Sequence, residues 1–248
     1  EVYSSCHDSE SQGRVMHEYI LGVYQLYELL TSRFPEILFE SCASGGARFD
    51  PGMMYYAPQC WTSDDTDALE RLKIQYGTSM VYPVSSLGAH VSAAPNHQLL
   101  RNTPIETRAN VAYFGTFGYE LDLNKLSMDE QIKVKEQITF MKDYREIIQF
   151  GTFYRLKSPF EGNETVWMVV SQDQNTAIIG YYRTLQEVNV GYRRVKLLGL
   201  DPDKEYHVNL NNTVHYGDEL MNLGLITTDS SCGENKEKYD GTNGDYLS

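Results

Sequence analysis

The chain has 248 residues, of which 41% are hydrophobic and 12% aromatic, and 21 Lys and Arg against 34 Asp and Glu give it a formal net charge of −13. This composition supports a packed core and argues against wholesale disorder, while the acidic charge disfavours nucleic acid and anionic membranes as partners. No apolar run approaches the roughly 20 residues that span a bilayer, and the four cysteines form neither a disulfide framework nor a CxxC zinc motif. We expect a soluble, acidic, globular protein from a reducing compartment.

Neither end of the sequence is typical of a native terminus. The start at Glu1 has no Met, no basic segment and no apolar leader segment, and a polar tail from Thr228 stops without a final helix or strand. We expect the chain to be part of a longer polypeptide, so that a catalytic group can lie outside it. The alternative is a processed protein with polar tails.

The first two-thirds of the chain alternate helical patterns with short apolar runs. Apolar residues recur every three or four positions over residues 13–33, which predicts a helix with one buried stripe that ends before Pro35. The run at residues 37–39 is typical of a buried parallel strand. The acid-rich stretch at residues 63–67 precedes an apolar segment, as at the start of a helix.

Further elements follow in the same alternation. Residues 81–83 predict a third short strand, and a long loop with two histidines is expected after it. Residues 114–117 predict the beginning or end of a helical segment, and residues 126–141 give the clearest helical pattern of the chain. Alternating helices and buried strands indicate a (β/α) barrel or a doubly wound sheet.

After Gly151 the pattern becomes typical of β structure. Residues 165–170 and 176–182 are rich in β-forming residues, and Gln174-Asn175 between them can turn a hairpin. Residues 206–210 alternate behind a turn. The last third therefore predicts an antiparallel β module.

Polar side chains are dense over residues 39–72, next to the predicted strand ends. In folds with parallel strands, binding sites form at the carboxyl ends of the strands. Trp61 beside several carboxylates suits a sugar, because a flat apolar ring stacks on a pyranose while acids bind its hydroxyls. A carboxyl group next to an indole also loses hydration, which raises its pKa and suits a general acid. The residues alone predict a carbohydrate-active barrel.

Each of these features also has a simpler structural explanation. On pattern alone, the acid-rich stretch at 63–67 is more typical of a helix-capping segment than of a catalytic one. It lacks the spacing of an EF-hand for Ca²⁺. Cys42 is, by residue type, more often a small buried hydrophobe than a ligand or nucleophile. His90 and His97 lack a third ligand for zinc, so we expect hydrogen-bonded loop residues and no metal.

Two segments resemble a known family. FESCASGGARFD at residues 39–50 and PQCWTSDDTDA at residues 58–68 resemble the α-galactosidases of glycoside hydrolase family 36. The resemblance extends over nearly the whole chain, including the segments at 33–35, 88–92 and 118–121 and the β-rich end. It implies an α/β fold: the later half of a (β/α)₈ TIM-type barrel over residues 1–149, then a truncated antiparallel β-sandwich-like domain over residues 150–248.

The same resemblance implies a retaining hydrolase of terminal α-linked galactose, with melibiose and raffinose as typical substrates and no metal or organic cofactor. Asp64 matches the family's general acid/base, and Cys42, Gly45 and Trp61 match residues that line the galactose pocket. Retention needs a second carboxyl group about 5–5.5 Å away. The family's nucleophile lies in a Lys-Trp-Asp-Met-Asn type motif that is absent here, and Asp8 matches nothing of that motif. We expect the nucleophile upstream of residue 1 and the isolated chain to be inactive.

Several neighbouring residues receive supporting roles. We expect Asp65 and Asp67 to support the start of a helix, and Arg48 and Asp50 to form a pair near the pocket. Alternative functions are a galactosyl-transferring relative such as a raffinose synthase, an α-N-acetylgalactosaminidase, or a non-catalytic sugar-binding module. The expected partner is an α-galactoside rather than nucleic acid or a membrane. The parent enzyme is expected to form a homo-oligomer in the cytoplasm.

Overall fold

The structure, a computed structural model, describes residues 3–185, 191 and 193–227. The helices, in chain order, are α1 (Gln12–Arg33), α2 (Pro51–Tyr56), α3 (Ala68–Thr78), α4 (Ile105–Ala112), α5 (Met128–Phe150) and α6 (Gly217–Asn222). The strands are β1 (Glu40–Ser41), β2 (Gln59–Cys60), β3 (Gly88–Ser92), β4 (Thr116–Glu120), β5 (Thr152–Lys157), β6 (Glu164–Val170), β7 (Ala177–Arg183), β8 (Arg194–Val195), β9 (Glu205–Val208), β10 (Thr213–Tyr216) and β11 (Leu225–Ile226). None of the described helices is both long and apolar enough to cross a membrane.

The chain divides into two compact units, Glu1–Asp64 and Asp65–Ser248. The predicted domain boundary at residues 149–150 falls inside the second unit and stays a prediction. The polar tail from Thr228, with Cys232, lies outside the described residues.

The first unit contains α1, β1, α2 and β2. The predicted helix over residues 13–33 is confirmed by α1, although of its apolar stripe Val15 is buried while Tyr19 is 39% exposed. Strands β1 and β2 pair in parallel, with Glu40 opposite Gln59 and Ser41 opposite Cys60. The carboxyl ends of both strands therefore lie at the same edge.

The second unit begins with a parallel strand pair. Strands β3 and β4 pair from Gly88 opposite Thr116 to Ser92 opposite Glu120, and α4 forms the connection between them. Helices α3, α4 and α5 supply most of the apolar side chains of the core beside these strands. A β-α-β crossover of this kind is the unit from which α/β folds are built.

An antiparallel sheet follows, in the strand order β5-β6-β7. All residues of the central strand β6 are buried, because its two faces enter different cores. Trp167 and Val169 pack with residues from the helices, whereas Val166 and Met168 pack with apolar residues of the segment from β8 to β11. Gln174, with φ of 55°, turns the hairpin between β6 and β7. The predicted antiparallel β module is thus confirmed in this part of the chain.

Three predicted elements differ from the structure. The strand predicted at residues 37–39 is displaced: β1 begins at Glu40, and Leu38 is 88% exposed. Residues 81–83 form a turn instead of a strand, because the amides of Val81 and Tyr82 both donate to the Thr78 carbonyl. In addition, Pro83 has no N–H to donate to a neighbouring strand. The strand of this region is β3, inside the predicted loop. Residues 114–117 are not helical: 114 and 115 lie between α4 and β4, and 116 and 117 begin β4.

A buried ion-pair network stabilises the β module around Glu164, whose side chain is 8% exposed. Its carboxylate pairs with Lys157 and with Arg193 Nη1 at 2.8 Å, and it accepts a hydrogen bond from the Tyr181 hydroxyl at 2.6 Å. Burial alone raises the pKa of Glu164, but the hydrogen bonds from Lys157, Tyr181 and Arg193 outweigh it and lower the pKa from 4.5 to about 2. Folding therefore favours the ionised carboxylate.

This pKa predicts a loss of stability in acid. The network contributes fully above the unfolded pKa of 4.5 and is lost as the pH falls towards 2. We expect Glu164 to account for about 2 kcal/mol of the decrease in unfolding free energy between pH 6 and pH 3. Urea unfolding of Glu164→Gln at both pH values should show a correspondingly smaller decrease. Glu161→Gln, in the exposed loop before β6, is the control; equal decreases in both variants would contradict the role of Glu164.

Candidate active site

Two loops meet at the carboxyl edge of β1 and β2. We call residues 42–48, after β1, the Cys42 loop, and residues 61–64, after β2, the Asp64 loop. The Trp61 amide donates to the Ser41 carbonyl at 3.0 Å, which continues the parallel pairing to the end of the strands. All four predicted site residues, Cys42, Gly45, Trp61 and Asp64, therefore lie in these two loops.

The Cys42 loop makes a tight turn at the edge. Ser44 and Gly45 have φ values of 52° and 74°, and the Ala43 amide donates to the Gly45 carbonyl at 2.9 Å. The next amide, of Gly46, donates to the Thr62 carbonyl at 3.0 Å. The turn thus folds back onto the Asp64 loop.

The two cysteines of the site have opposite environments. Cys42 is exposed, so the expectation from residue type that it is a buried hydrophobe is wrong. That description fits Cys60 instead, which is fully buried and whose pKa is raised by burial to about 11. The Cys60 thiol therefore stays protonated at neutral pH, and the accessible thiol at the strand edge is Cys42.

The remaining predicted site residues differ in exposure. Trp61 is 9% exposed and Gly45 is buried, whereas Asp64 is exposed. Neither a hydrogen bond nor an ion pair holds the Asp64 carboxylate among the described residues, so it is available to a ligand. The sequence predicts a carboxyl group that loses hydration beside the indole, whereas the Asp64 side chain is exposed and little of Trp61 is.

Arg48 and Asp50 do not form the predicted pair. Arg48 Nη1 donates to the Tyr19 hydroxyl at 2.8 Å and Nη2 to the Cys42 carbonyl at 3.2 Å. Asp50 accepts from the Tyr24 hydroxyl at 2.8 Å and from the Met53 amide at 2.9 Å, which caps α2. Both side chains thus anchor the Cys42 loop region to the rest of the first unit.

The tyrosine anchors on α1 were missed in the sequence. Tyr19 and Tyr24 lie in the helical stretch, where an aromatic residue indicates packing rather than a hydrogen bond. No spacing in the sequence connects Tyr19 with Arg48, 29 residues later. Only the fold reveals that this hydroxyl reaches the Cys42 loop.

The acids that follow Asp64 support helix α3 in the second unit, as predicted. Asp67 caps the helix, and its Oδ1 accepts from the Leu69 and Glu70 amides at 3.0 and 3.2 Å and pairs with Arg101. Asp65 Oδ1 accepts from the Asp67 amide at 3.0 Å. A capping role for Asp67 is confirmed by these bonds.

The histidines considered for zinc lie in different surroundings. His90 is part of β3, and its Nδ1 is 3.6 Å from Glu120 Oε2, while His97 is exposed. The prediction of two loop histidines is therefore wrong for His90. Over residues 3–185, 191 and 193–227, no group of three or more His, Cys, Asp or Glu side chains is placed to hold a metal ion.

Comparison with known proteins identifies both parts of the chain. The Melibiase family model matches residues 1–151, and the model of the glycosyl hydrolase family 36 C-terminal domain matches residues 164–248. Alpha-galactosidase AgaA of Geobacillus stearothermophilus is 54% identical over 225 residues, which are 91% of this chain and 31% of AgaA. Alpha-galactosidase Mel36A of Lactobacillus acidophilus is 48% identical over the same shares of the two chains.

Solved structures agree with the sequence comparison. The crystal structure of AgaA matches with a TM-score of 0.88 at 50% identity, covering 100% of this chain and 33% of that chain. A substituted AgaA in complex with raffinose matches with a TM-score of 0.87 at 52% identity, covering 93% of this chain and 32% of that one. The chain thus spans about a third of the length of these relatives.

These matches confirm the fold class predicted from the sequence, a partial (β/α)₈ barrel followed by an antiparallel β domain. They also confirm the resemblance on which the site residues were assigned. The chain belongs to the melibiase family and carries, after its melibiase segment, the C-terminal domain of glycosyl hydrolase family 36.

Proposed function

We propose that the protein containing this chain hydrolyses terminal α-linked galactose from oligosaccharides such as melibiose and raffinose, with retention of configuration by double displacement. The observation that carries the proposal is the meeting of the Cys42 and Asp64 loops at one strand edge. The two loops carry an exposed carboxyl group at Asp64, an exposed thiol at Cys42 and the indole of Trp61. The raffinose complex of AgaA supports an α-galactoside as the ligand of such a site.

In this proposal Asp64 is the general acid/base. As an acid it protonates the glycosidic oxygen while the bond to galactose breaks, and as a base it then takes a proton from the water that releases galactose. Its exposed position allows both the leaving sugar and water to reach it. Trp61, which is 9% exposed, contributes the accessible part of its indole to the pocket wall, and Cys42 and Gly45 complete the lining.

The nucleophile is proposed to be an aspartate that precedes residue 1 in the parent protein. Asp8 does not fit this role. Its Oδ1 accepts from the Ser11 amide at 2.9 Å and from the Ser11 hydroxyl at 2.6 Å, which lowers its pKa and forms the turn before α1. Asp8 is thus a structural residue of the helix start.

The function is tested by assaying the full-length protein with melibiose and raffinose. Release of free galactose is the expected result. Galactose found mainly on an acceptor sugar would indicate a raffinose synthase-like transferase, and preference for 2-acetamido substrates would indicate an α-N-acetylgalactosaminidase. Saturable galactose binding without any turnover would indicate a sugar-binding protein.

The proposed partner is an oligosaccharide. Phosphate-rich partners are disfavoured by the net charge of −13. A homo-oligomeric, cytoplasmic parent enzyme stays a prediction, which gel filtration and cell fractionation can test.

The proposed contact between Cys42 and galactose predicts protection from alkylation. We expect saturating galactose to slow iodoacetamide labelling of Cys42 in the full-length protein at least about tenfold, because the bound sugar covers the thiol. Mass spectrometry of the labelled peptides measures each cysteine separately. Cys6 is also exposed and belongs to neither loop, so its rate is an internal control that should not change. Equal rates at Cys42 with and without galactose would remove it from the pocket.

A further inference from the structure

Gly45 lies where the Cys42 loop crosses the Asp64 loop. Its φ of 74° is in the region that residues with a Cβ rarely adopt. A Cβ built on Gly45 would lie 2.6 Å from Ser63 Cα, 3.0 Å from the Ser63 amide nitrogen and 3.2 Å from the Asp64 amide nitrogen. The backbone of the Asp64 loop therefore rests directly on this glycine.

The neighbouring glycine extends the contact by one residue. The Gly46 amide donates to the Thr62 carbonyl at 3.0 Å, and a Cβ on Gly46 would lie 3.0 Å from the same oxygen. Two consecutive glycines thus face the backbone of residues 62–64. The opposing atoms belong to the backbone rather than to flexible side chains. A side chain added at either glycine would therefore displace the backbone of the Asp64 loop and not merely change a rotamer.

This contact matters because it bears on the backbone that carries the acid. No described side chain or amide bonds to the Asp64 carboxylate, so the position of the carboxylate follows from the position of its backbone. A general acid must come within about 2.6–3.2 Å of the atom that it protonates. A misplacement of about 1 Å can reduce catalysis about 100-fold.

We propose that Gly45 is a positioning residue for Asp64. It allows the backbones of the two loops to contact each other, and this contact determines how close the Asp64 carboxylate comes to the glycosidic oxygen. The proposal rests on the proposed function and deepens it. Lining the galactose pocket, the role implied by the family resemblance, is a different role, since a pocket residue affects the sugar and a positioning residue affects proton transfer. The two roles predict different kinetics.

The test is Gly45→Ala in the full-length protein, assayed with two substrates that share galactose but differ in their leaving group. The leaving group of melibiose is poor and must be protonated. The dinitrophenolate of a dinitrophenyl α-galactoside leaves without a proton. Displacement of Asp64 is expected to lower kcat/KM for melibiose about 100-fold and for the dinitrophenyl substrate less than about tenfold. Gly22→Ala on α1, where a Cβ would meet nothing within 4 Å, is the matched control.

Equal losses on the two substrates would overturn the proposal, since they would show that the added methyl group blocks the sugar. Should Gly45→Ala fail to fold, judged by circular dichroism and its unfolding midpoint, Gly46→Ala replaces it. That variant needs a shift of only a few tenths of an ångström at Thr62, and it should show the same dependence on the leaving group with a smaller amplitude. Absence of turnover in the unsubstituted protein would instead refute the proposed function, which is a separate result.

Discussion

Replacing Asp64 with asparagine in the full-length protein is expected to reduce turnover of melibiose about 10³-fold, because an amide cannot donate the proton that the leaving sugar needs. The loss should be much smaller for bond cleavage in a dinitrophenyl α-galactoside, whose leaving group needs no proton. The second step also needs Asp64, as a base for water. The activated substrate should therefore give a burst followed by slow turnover, which stopped-flow absorbance resolves.

Azide provides the complementary measurement. As an anionic nucleophile it needs no general base, so it should restore steady turnover of the activated substrate by Asp64→Asn. Asp65→Asn is the matched control, since it removes the same charge one residue further along the chain and its amide oxygen can still accept from the Asp67 amide. Melibiose turnover by Asp64→Asn similar to that of the control would remove Asp64 from the mechanism.

Replacing Asp67 with alanine is expected to lower the unfolding free energy by about 2–3 kcal/mol. The Asp67 side chain is 1% exposed, and the substitution removes the cap of α3 and leaves Arg101 without its buried carboxylate. Loss of an N-cap costs about 1 kcal/mol. Loss of the hydrogen-bonded carboxylate opposite Arg101, which is 29% exposed and stays 4.0 Å from Glu70, adds about 1.5 kcal/mol. Urea unfolding, monitored by circular dichroism, measures the combined loss of stability from the cap and the ion pair.

Asp67→Asn separates the two contributions. The amide oxygen can still accept from the Leu69 and Glu70 amides, so the cap is retained while the charge opposite Arg101 is lost. Its loss of stability should therefore be smaller than that of Asp67→Ala. Identical losses would mean that the ion pair alone, and not the cap, accounts for the effect.

Elements with local signals could be predicted from the sequence. The apolar spacing of α1, the acids before α3 and the turn at Gln174-Asn175 each act within a few residues, and all three are found where expected. Helix α5 also agrees but continues to Phe150, beyond the predicted limit of Met141. Its N-terminal capping box at Ser127 and Glu130 is a local signal as well.

Strands that depend on distant partners were predicted less well. The segment Gly88–Ser92 contains glycine, histidine and serine and does not have the composition of a strand. It is extended because β4 pairs with it and because it is buried beside α4. Conversely, residues 37–39 have the composition of a strand, but Leu38 is exposed. Tertiary context thus overrides local propensity in both cases.

In the candidate site, too, features with a general rule could be predicted, and contacts between distant residues could not. That the residues after two parallel strands meet at one edge follows from the rule that ligands bind at the carboxyl ends of strands. The contact of Gly45 with Ser63 and the bond from Arg48 to Tyr19 join loops and helices across 18 and 29 residues. Such contacts are decided by the path of the backbone, which no motif spacing encodes.

We expect the edge formed by the Cys42 and Asp64 loops to bind the galactose of an α-galactoside and to protonate its leaving group. A crystal structure of the full-length Asp64→Asn variant soaked with raffinose tests it most directly. The side chain at position 64 is expected within about 3 Å of the glycosidic oxygen of galactose, with the Cys42 thiol against a ring hydroxyl. Raffinose bound away from this edge, or with its glycosidic oxygen out of reach of position 64, would contradict the account.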